Sequence, residues 1–395
     1  MGTAVFTSSY KFQLTKYAPL MLKLNQVISV RVVFEYKRKS MQVLDIYAGK
    51  NAFARIKQEG FNADLFDYML GASGGPKWFV LAGLDRYIFP EFFAERTRPL
   101  NIVGSSAGAF RFACFAQNDP LSAINRLAER YSHTVYSDKP TAKEITESGT
   151  ALLNYVLGEN GSEEIINNPI IKAHFIVAKC KGLTQYEAKP LQMTGLIASA
   201  SANALKRKWL EKFYQRFLFS SPNSDLKIND PNNMPSYSVA LTAKNLPQAL
   251  MASGSIPIVI EGVKNIDGAP KGMYRDGGII DYHFDLTFGP QKGLVLYPHF
   301  YSKPIPGWFD KSLKKRLPHA SSYDDVVMLV PSDEFVASLP YGKIPDRTDF
   351  ETMPAAQRIE YWQTVISQSD RLGQTFKQMC DDQQIIEHMK PIEFA

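Results

Sequence analysis

Leu100-Asn101-Ile102-Val103-Gly104-Ser105-Ser106-Ala107-Gly108-Ala109-Phe110 is the stretch on which the fold turns. Its first four residues are a short apolar strand signal, and Ala107 to Gln117 read as an apolar helix. Between them Gly104-Ser105-Ser106-Ala107-Gly108 fits the pattern G-x-S-x-G. A serine at so tight a strand-to-helix turn sits in a strained backbone conformation. Glycines two residues to either side let strand and helix approach that closely. The turn lifts the hydroxyl clear of the sheet and aims the following N–H groups at developing negative charge. Taken alone, the same five residues also fit a helix cap after a Gly-Ser loop.

The preceding segment repeats the grammar. Phe66-Asp67-Tyr68-Met69-Leu70 reads as a buried strand, Gly71 to Gly75 as a Gly-rich loop, and Pro76 opens an apolar helix to about Phe93. Two loops, each between a strand and a helix, predict an α/β fold with a mostly parallel sheet flanked by helices. Adjacent glycines in Ser73-Gly74-Gly75-Pro76-Lys77 can turn successive N–H groups into one concavity, as an oxyanion hole requires. Pro76 has no N–H, so the candidate donors are Gly74 and Gly75, with Ala107 as a third. A plain tight turn is the alternative. A phosphate-binding loop fits poorly, because no Ser or Thr follows Lys77. Lys77 itself is a candidate contact for a phosphate head group or half of a structural ion pair. Further on, Tyr274-Arg275-Asp276-Gly277-Gly278 offers a carboxylate followed by two glycines. By itself that is a turn; beside a serine hydroxyl it is a general base.

In this order, the Gly-rich loop, the G-x-S-x-G turn and the distant Asp-Gly-Gly resemble the patatin-like phospholipases. That family's oxyanion loop reads Gly-Gly-Gly-x-(Arg or Lys)-Gly. Residues 73–78 lie over it, matching at Gly74, Gly75 and Lys77 and departing at Ser73 and Trp78. Ala252-Ser253-Gly254-Ser255-Ile256-Pro257 looks like a further family block, small residues and a proline upstream of the aspartate. The resemblance spans roughly residues 65–280. It implies a three-layer α/β/α sandwich, Ser106 as nucleophile with Gly104 and Gly108 shaping its elbow, Asp276 as its base, and hydrolysis of lipid acyl esters through an acyl-enzyme.

Two other readings stay open. An α/β-hydrolase with a Ser-Asp-His triad also places its serine at G-x-S-x-G, and His283, His299, His319 and His388 follow Asp276 in the chain. A non-catalytic lipid-binding protein is the other.

The 395 residues are 45% hydrophobic and 21% charged, enough for a large core. The net charge of +6 is concentrated in residues 1–40, where Lys11, Lys16, Lys23, Arg31, Lys37, Arg38 and Lys39 face only Glu35. The rest is neutral, so no nucleic-acid footprint is expected. The basic segment reads as an extension that orders poorly, as a targeting peptide, or as a lure for anionic membrane; a globular pattern begins at Met41. No secretory signal and no transmembrane run is expected, and the location expected is cytoplasmic or peripheral to a membrane. Cys114, Cys180 and Cys380 are too few and too spread for a disulfide framework or a zinc site. No required metal and no cofactor is expected. The expected partner is a lipid or membrane-surface substrate, and oligomeric state is silent.

Residues 41–335 read as one catalytic domain and 336–395 as a Pro-rich loop (340–354) with one long helix (355–390) packed on it as a cover. Strand signals fall at 174–178, 237–241, 293–297 and 326–330. The stretch 206–219 reads as a basic amphipathic helix, with Trp209, Leu210, Phe213, Tyr214 and Phe217 on one face. That face suits core packing or a lipid interface.

Overall fold

The computed structural model describes residues 41–394. The reading of residues 1–40 as a basic extension lies outside them. From Val43 onward the chain forms one compact unit.

Its strands are β1 (Leu44–Ala48), β2 (Phe66–Gly71), β3 (Leu100–Ser105), β4 (Ile171–Cys180), β5 (Tyr214–Ser220), β6 (Lys227–Asn229), β7 (Ser236–Ala240), β8 (Val263–Lys264), β9 (Met273–Asp276), β10 (Thr287–Gly289), β11 (Leu294–Pro298), β12 (Val326–Pro331) and β13 (Met389–Pro391). The main sheet runs β13-β1-β12-β11-β2-β3-β4-β5-β7. Its centre, β12-β11-β2-β3-β4, is parallel throughout. Every residue of β2, β3, β11 and β12 is buried, as expected when helices cover both faces of a parallel sheet. The architecture is therefore the α/β fold anticipated, a mostly parallel sheet flanked by helices in a three-layer arrangement.

The helices that matter for the site are α1 (Ala82–Tyr87), α2 (Ala107–Phe115), α3 (Pro120–Ser132), α4 (Ala142–Leu157), α5 (Lys189–Leu205), α6 (Leu246–Gly254), α7 (Ala355–Gln368) and α8 (Asp370–Asp381). The helix expected from Pro76 to Phe93 is three pieces, a 3-10 stretch (Gly75–Leu81), α1 and a π turn (Ile88–Phe92).

The chain crosses the sheet in two directions from β2. The connections from β2 through β3 to β4 move one way, and β11 to β12 moves the other. The loops after β2 and β11 thus part company at one point. Open parallel sheets bind ligands in the crevice that this reversal leaves.

Two further expectations are corrected. The stretch 206–219 is not a helix: a short 3-10 turn (Arg207–Lys212) runs into β5, which pairs antiparallel with β4 and parallel with β7. Arg216, within this stretch, is buried and held by Asp281 (2.6 Å) and Asp230 (2.7 Å). Tyr214 and Phe217 are core residues. The second correction concerns 355–390, which is not one helix. It breaks between α7 and α8 at Ser369, whose hydroxyl accepts a bond from the Gly83 amide (2.9 Å). The chain then returns as β13, parallel to β1. α7 packs on the Gly75–Leu81 turn through Trp362 and Phe79 (ring centroids 5.3 Å apart), and α8 packs on α1, where a side chain at Gly83 would overlap the Ser369 carbonyl.

Candidate active site

Ser106 follows β3 directly and is the N-cap of α2, at φ 53° and ψ −122°. A non-glycine residue at positive φ is strained, and such strain persists only where the surroundings enforce it. Here they do so from three sides. A Cβ at Gly108 would overlap the Gly71 carbonyl, so α2 and the end of β2 touch backbone to backbone. A Cβ at Gly104 would come within 2.7 Å of Ala109 Cα. The Ser106 amide donates to Ser253 Oγ (2.9 Å), which in turn donates to the Ile176 carbonyl (2.8 Å).

Asp276 arrives by sheet register. Ser105 stands opposite Ile176 across β3 and β4, and Val177 stands opposite Asp276 across β4 and β9. One strand thus separates the two residues, although 170 positions lie between them in the chain. Ser106 Oγ donates to Asp276 Oδ2 at 2.8 Å. The other carboxylate oxygen accepts from the Gly278 amide at 2.7 Å. The Asp276 amide is tied to the Ser255 carbonyl (3.1 Å), so 253–255 anchors both ends of the pair. A side chain at Gly277 would overlap the Ile176 carbonyl.

Both residues are 7% exposed. Burial raises Asp276 from the ordinary carboxylate range to about 6. The bonds from Ser106 and Gly278, and the charges of Arg347 and Lys311, pull the other way and do not cancel it.

Two cavities meet at Ser106. One, of about 120 Å³, is lined by Trp78, Phe110, Leu127, Ile145, Leu152 and Met251 among others, with Ala107 and Gly75 at its Ser106 end. The other, of about 100 Å³, is lined by Gly74, Gly75, Lys77, Asp276, Lys311 and Arg347 among others. It lies at the sheet's reversal point, between the loops that follow β2 and β11. The candidate oxyanion residues Gly74, Gly75 and Ala107 therefore all border the space in front of Ser106. Gly75 has φ 56°, the left-handed region that suits glycine, and a Cβ at Gly74 would strike the Phe300 ring at 2.7 Å. Lys77 forms an ion pair with Asp346.

Sequence reasoning missed Lys311, Arg347 and the anchoring role of Ser253. Arg347 lies in the stretch read as a plain Pro-rich connection, and its side chain lies over Gly75, where a Cβ would be 3.2 Å from Arg347 Cγ. No motif marks it. Lys311 comes from a loop with no periodic signal.

No hydrogen bond of Ser106 or Asp276 among the described residues involves a histidine. His283 Nδ1 accepts from the Ile305 amide (2.9 Å), His299 Nδ1 is bonded to Tyr301, and His319 pairs with Asp285 (2.8 Å). Among the described residues, no group of three or more His, Cys, Asp or Glu side chains could hold a metal ion, and no helix is long and apolar enough to cross a membrane.

The site thus defines a buried hydroxyl–carboxylate pair on an α/β sheet. No protein-family model matches the chain, and no curated protein does. Among solved structures it is similar to VipD from Legionella pneumophila, at 11% identity and a TM-score of 0.29. The match covers 71% of this chain and spans 58% of that one. A likeness that loose says nothing of chemistry, and the functional reading rests on the site's own geometry.

Proposed function

We propose that this chain is a serine hydrolase of lipid carboxylic esters, of phospholipase A or lysophospholipase type, working through a Ser106–Asp276 dyad. The 2.8 Å bond between Ser106 Oγ and Asp276 Oδ2, at a strained turn facing an apolar cavity, carries this reading.

The chemistry follows from the contacts. Ser106 Oγ attacks the ester carbonyl carbon while its proton passes to Asp276. The carbonyl π electrons move to oxygen, where the amides of Gly74, Gly75 and Ala107 are the candidate donors. Collapse expels the leaving alkoxide, which takes the proton from Asp276, and the acyl group stays on Ser106. Water, deprotonated by the same carboxylate, then releases the acid. A carboxylate is a weak base toward an alcohol, so its upward shift to about 6 brings it nearer to the task while leaving it ionised at neutral pH. The apolar cavity offers the acyl chain a dry seat.

In this reading residues 41–335 carry the dyad, and 336–395 contribute Asp346 and Arg347 to its wall. The protein works in the cytoplasm or at a membrane surface, where its substrate is presented. The triad alternative has no histidine in place, and the strained serine argues against a mere lipid carrier. The test is to treat purified protein with a fluorophosphonate probe and to incubate it with a mixed lipid extract. Labelling at Ser106 and release of fatty acid, both abolished in Ser106→Ala, are expected. Intact lipids and an unlabelled Ser106 would reject the proposal.

A further inference from the structure

We infer that the polar pocket beside Ser106 receives the phosphate of an anionic lipid head group, with Arg347 and Lys311 as its receptors; this rests on the acyl-hydrolase reading above. Three cations from three separate stretches line this one pocket: Lys77 after β2, Lys311 after β11, and Arg347 from 340–354. Two carboxylates line it with them, and both are engaged. Asp276 holds Ser106 and the Gly278 amide, and Asp346 is paired with Lys77. Lys343 behind Lys77 is likewise matched, by Asp349 (2.5 Å). Among the described residues neither Arg347 nor Lys311 forms an ion pair. The Lys311 ammonium lies 4.0 Å from the face of Tyr282, and it feels the Asp276 carboxylate without pairing with it.

The cations feel one another. Burial, and next to it the charge of Arg347, push Lys77 down to about 8. Lys311 is lowered as well, by burial and then by Arg347 and Lys77, although the residue is exposed and solvent blunts the effect. An incoming phosphate relieves both repulsions. It also gains charge-assisted hydrogen bonds, which a planar guanidinium makes in pairs. The space is too polar for a lipid chain, whereas the apolar cavity also opens at Ser106. Arg347 borders both. An ester held at Ser106 would therefore lay its chain one way and its head group the other, with the phosphate between Arg347 and Lys311. An uncharged glyceride would leave both cations with only the Asp276 carboxylate, already bonded to Ser106 and Gly278, as a nearby counter-charge.

The site is tested on the full-length Ser106→Ala protein by calorimetry with three probes: 1-oleoylglycerol 3-phosphate, 1-oleoylglycerol and inorganic phosphate. The phosphate lipid is expected to bind about tenfold or more tightly than the uncharged one, the scale of one charge-assisted bond. Lys311→Gln and Arg347→Gln should each narrow that ratio several-fold, and Arg347→Lys should keep part of it. Lys311 is exposed, so its variant tests the idea without threatening the fold. Equal affinity for the two lipids, or a ratio that neither variant moves, overturns the inference. Inorganic phosphate binding as tightly as the phosphate lipid would mark a free-anion site and overturn the head-group assignment. Fluorophosphonate labelling of the unmodified chain separates the two levels. A label on Ser106 with no lipid preference removes this inference alone; a preference with no label removes the hydrolase reading on which it rests.

Discussion

The two sides of Ser106 differ as oil differs from brine. Trp78, Phe110, Leu127 and Met251 wall one cavity, and Lys77, Lys311 and Arg347 line the other. The same strained hydroxyl opens on both. The contrast teaches that the charge of the Asp276 carboxylate is set by two opposed influences. Loss of water raises Asp276, nearby cations lower it, and the first prevails.

The largest effects should come from the proposed dyad, whose serine both cavities share. Ser106→Ala is expected to cost on the order of a million-fold in turnover on either charged or neutral esters. A loss confined to one substrate class would break the comparison. Asp276→Asn, which keeps the shape and removes the proposed base, should cost about 10²–10⁴-fold. Next comes pH. Because the proposed mechanism needs an ionised Asp276, kcat/KM on a neutral ester should rise with pH and level off above an apparent value near 6. A profile flat from pH 4 to 8 would show that Asp276 is not the base. The same shift has a stability counterpart of fixed sign. Asp276 is raised in the folded chain, so holding it charged opposes folding fully above pH 6 and not at all below about pH 4. Asp276→Asn should therefore raise the melting temperature, relative to the parent, more at pH 8 than at pH 4.

Smaller effects sharpen each side. Gly149 on α4 faces the apolar cavity with only Met251 near (3.5 Å), so Gly149→Phe should fill it. The preference for hexadecanoyl over butanoyl esters should drop about tenfold, in line with the 1–3 kcal/mol that a lost methylene contact carries. An unchanged chain-length profile would place the acyl chain elsewhere. Smallest is Ser253→Ala, which unties the Ser106 amide from the Ile176 carbonyl and should cost about 1–3 kcal/mol in thermal or chemical unfolding.

Legibility in the sequence tracked locality. The turn at Ser106 could be read because strand, glycines and helix are contiguous and each states its requirement within a few residues. The pairing with Asp276 came from the ordered resemblance, since nothing local says that β9 lies beside β4. The stretch 206–219 misled for a physical reason. β5 is buried on both faces from Arg216 to Phe219, so it shows no alternation. Its Arg216 is tolerated inside only because Asp230 and Asp281, distant in sequence, neutralise it. The break at Ser369 was equally hidden, because its cause is the close approach of Gly83 on another helix. Lys311 and Arg347 could not be found, because an isolated basic residue in a loop reads as solvated surface until the fold encloses it.

The return of the chain as β13 has a practical corollary. Met389–Pro391 shields one flank of β1, whose other flank is taken by β12. Trimming the last seven residues would strip that cover and bare a row of unsatisfied peptide groups on a strand of apolar character. Preparations lacking residues 389–391 should clump.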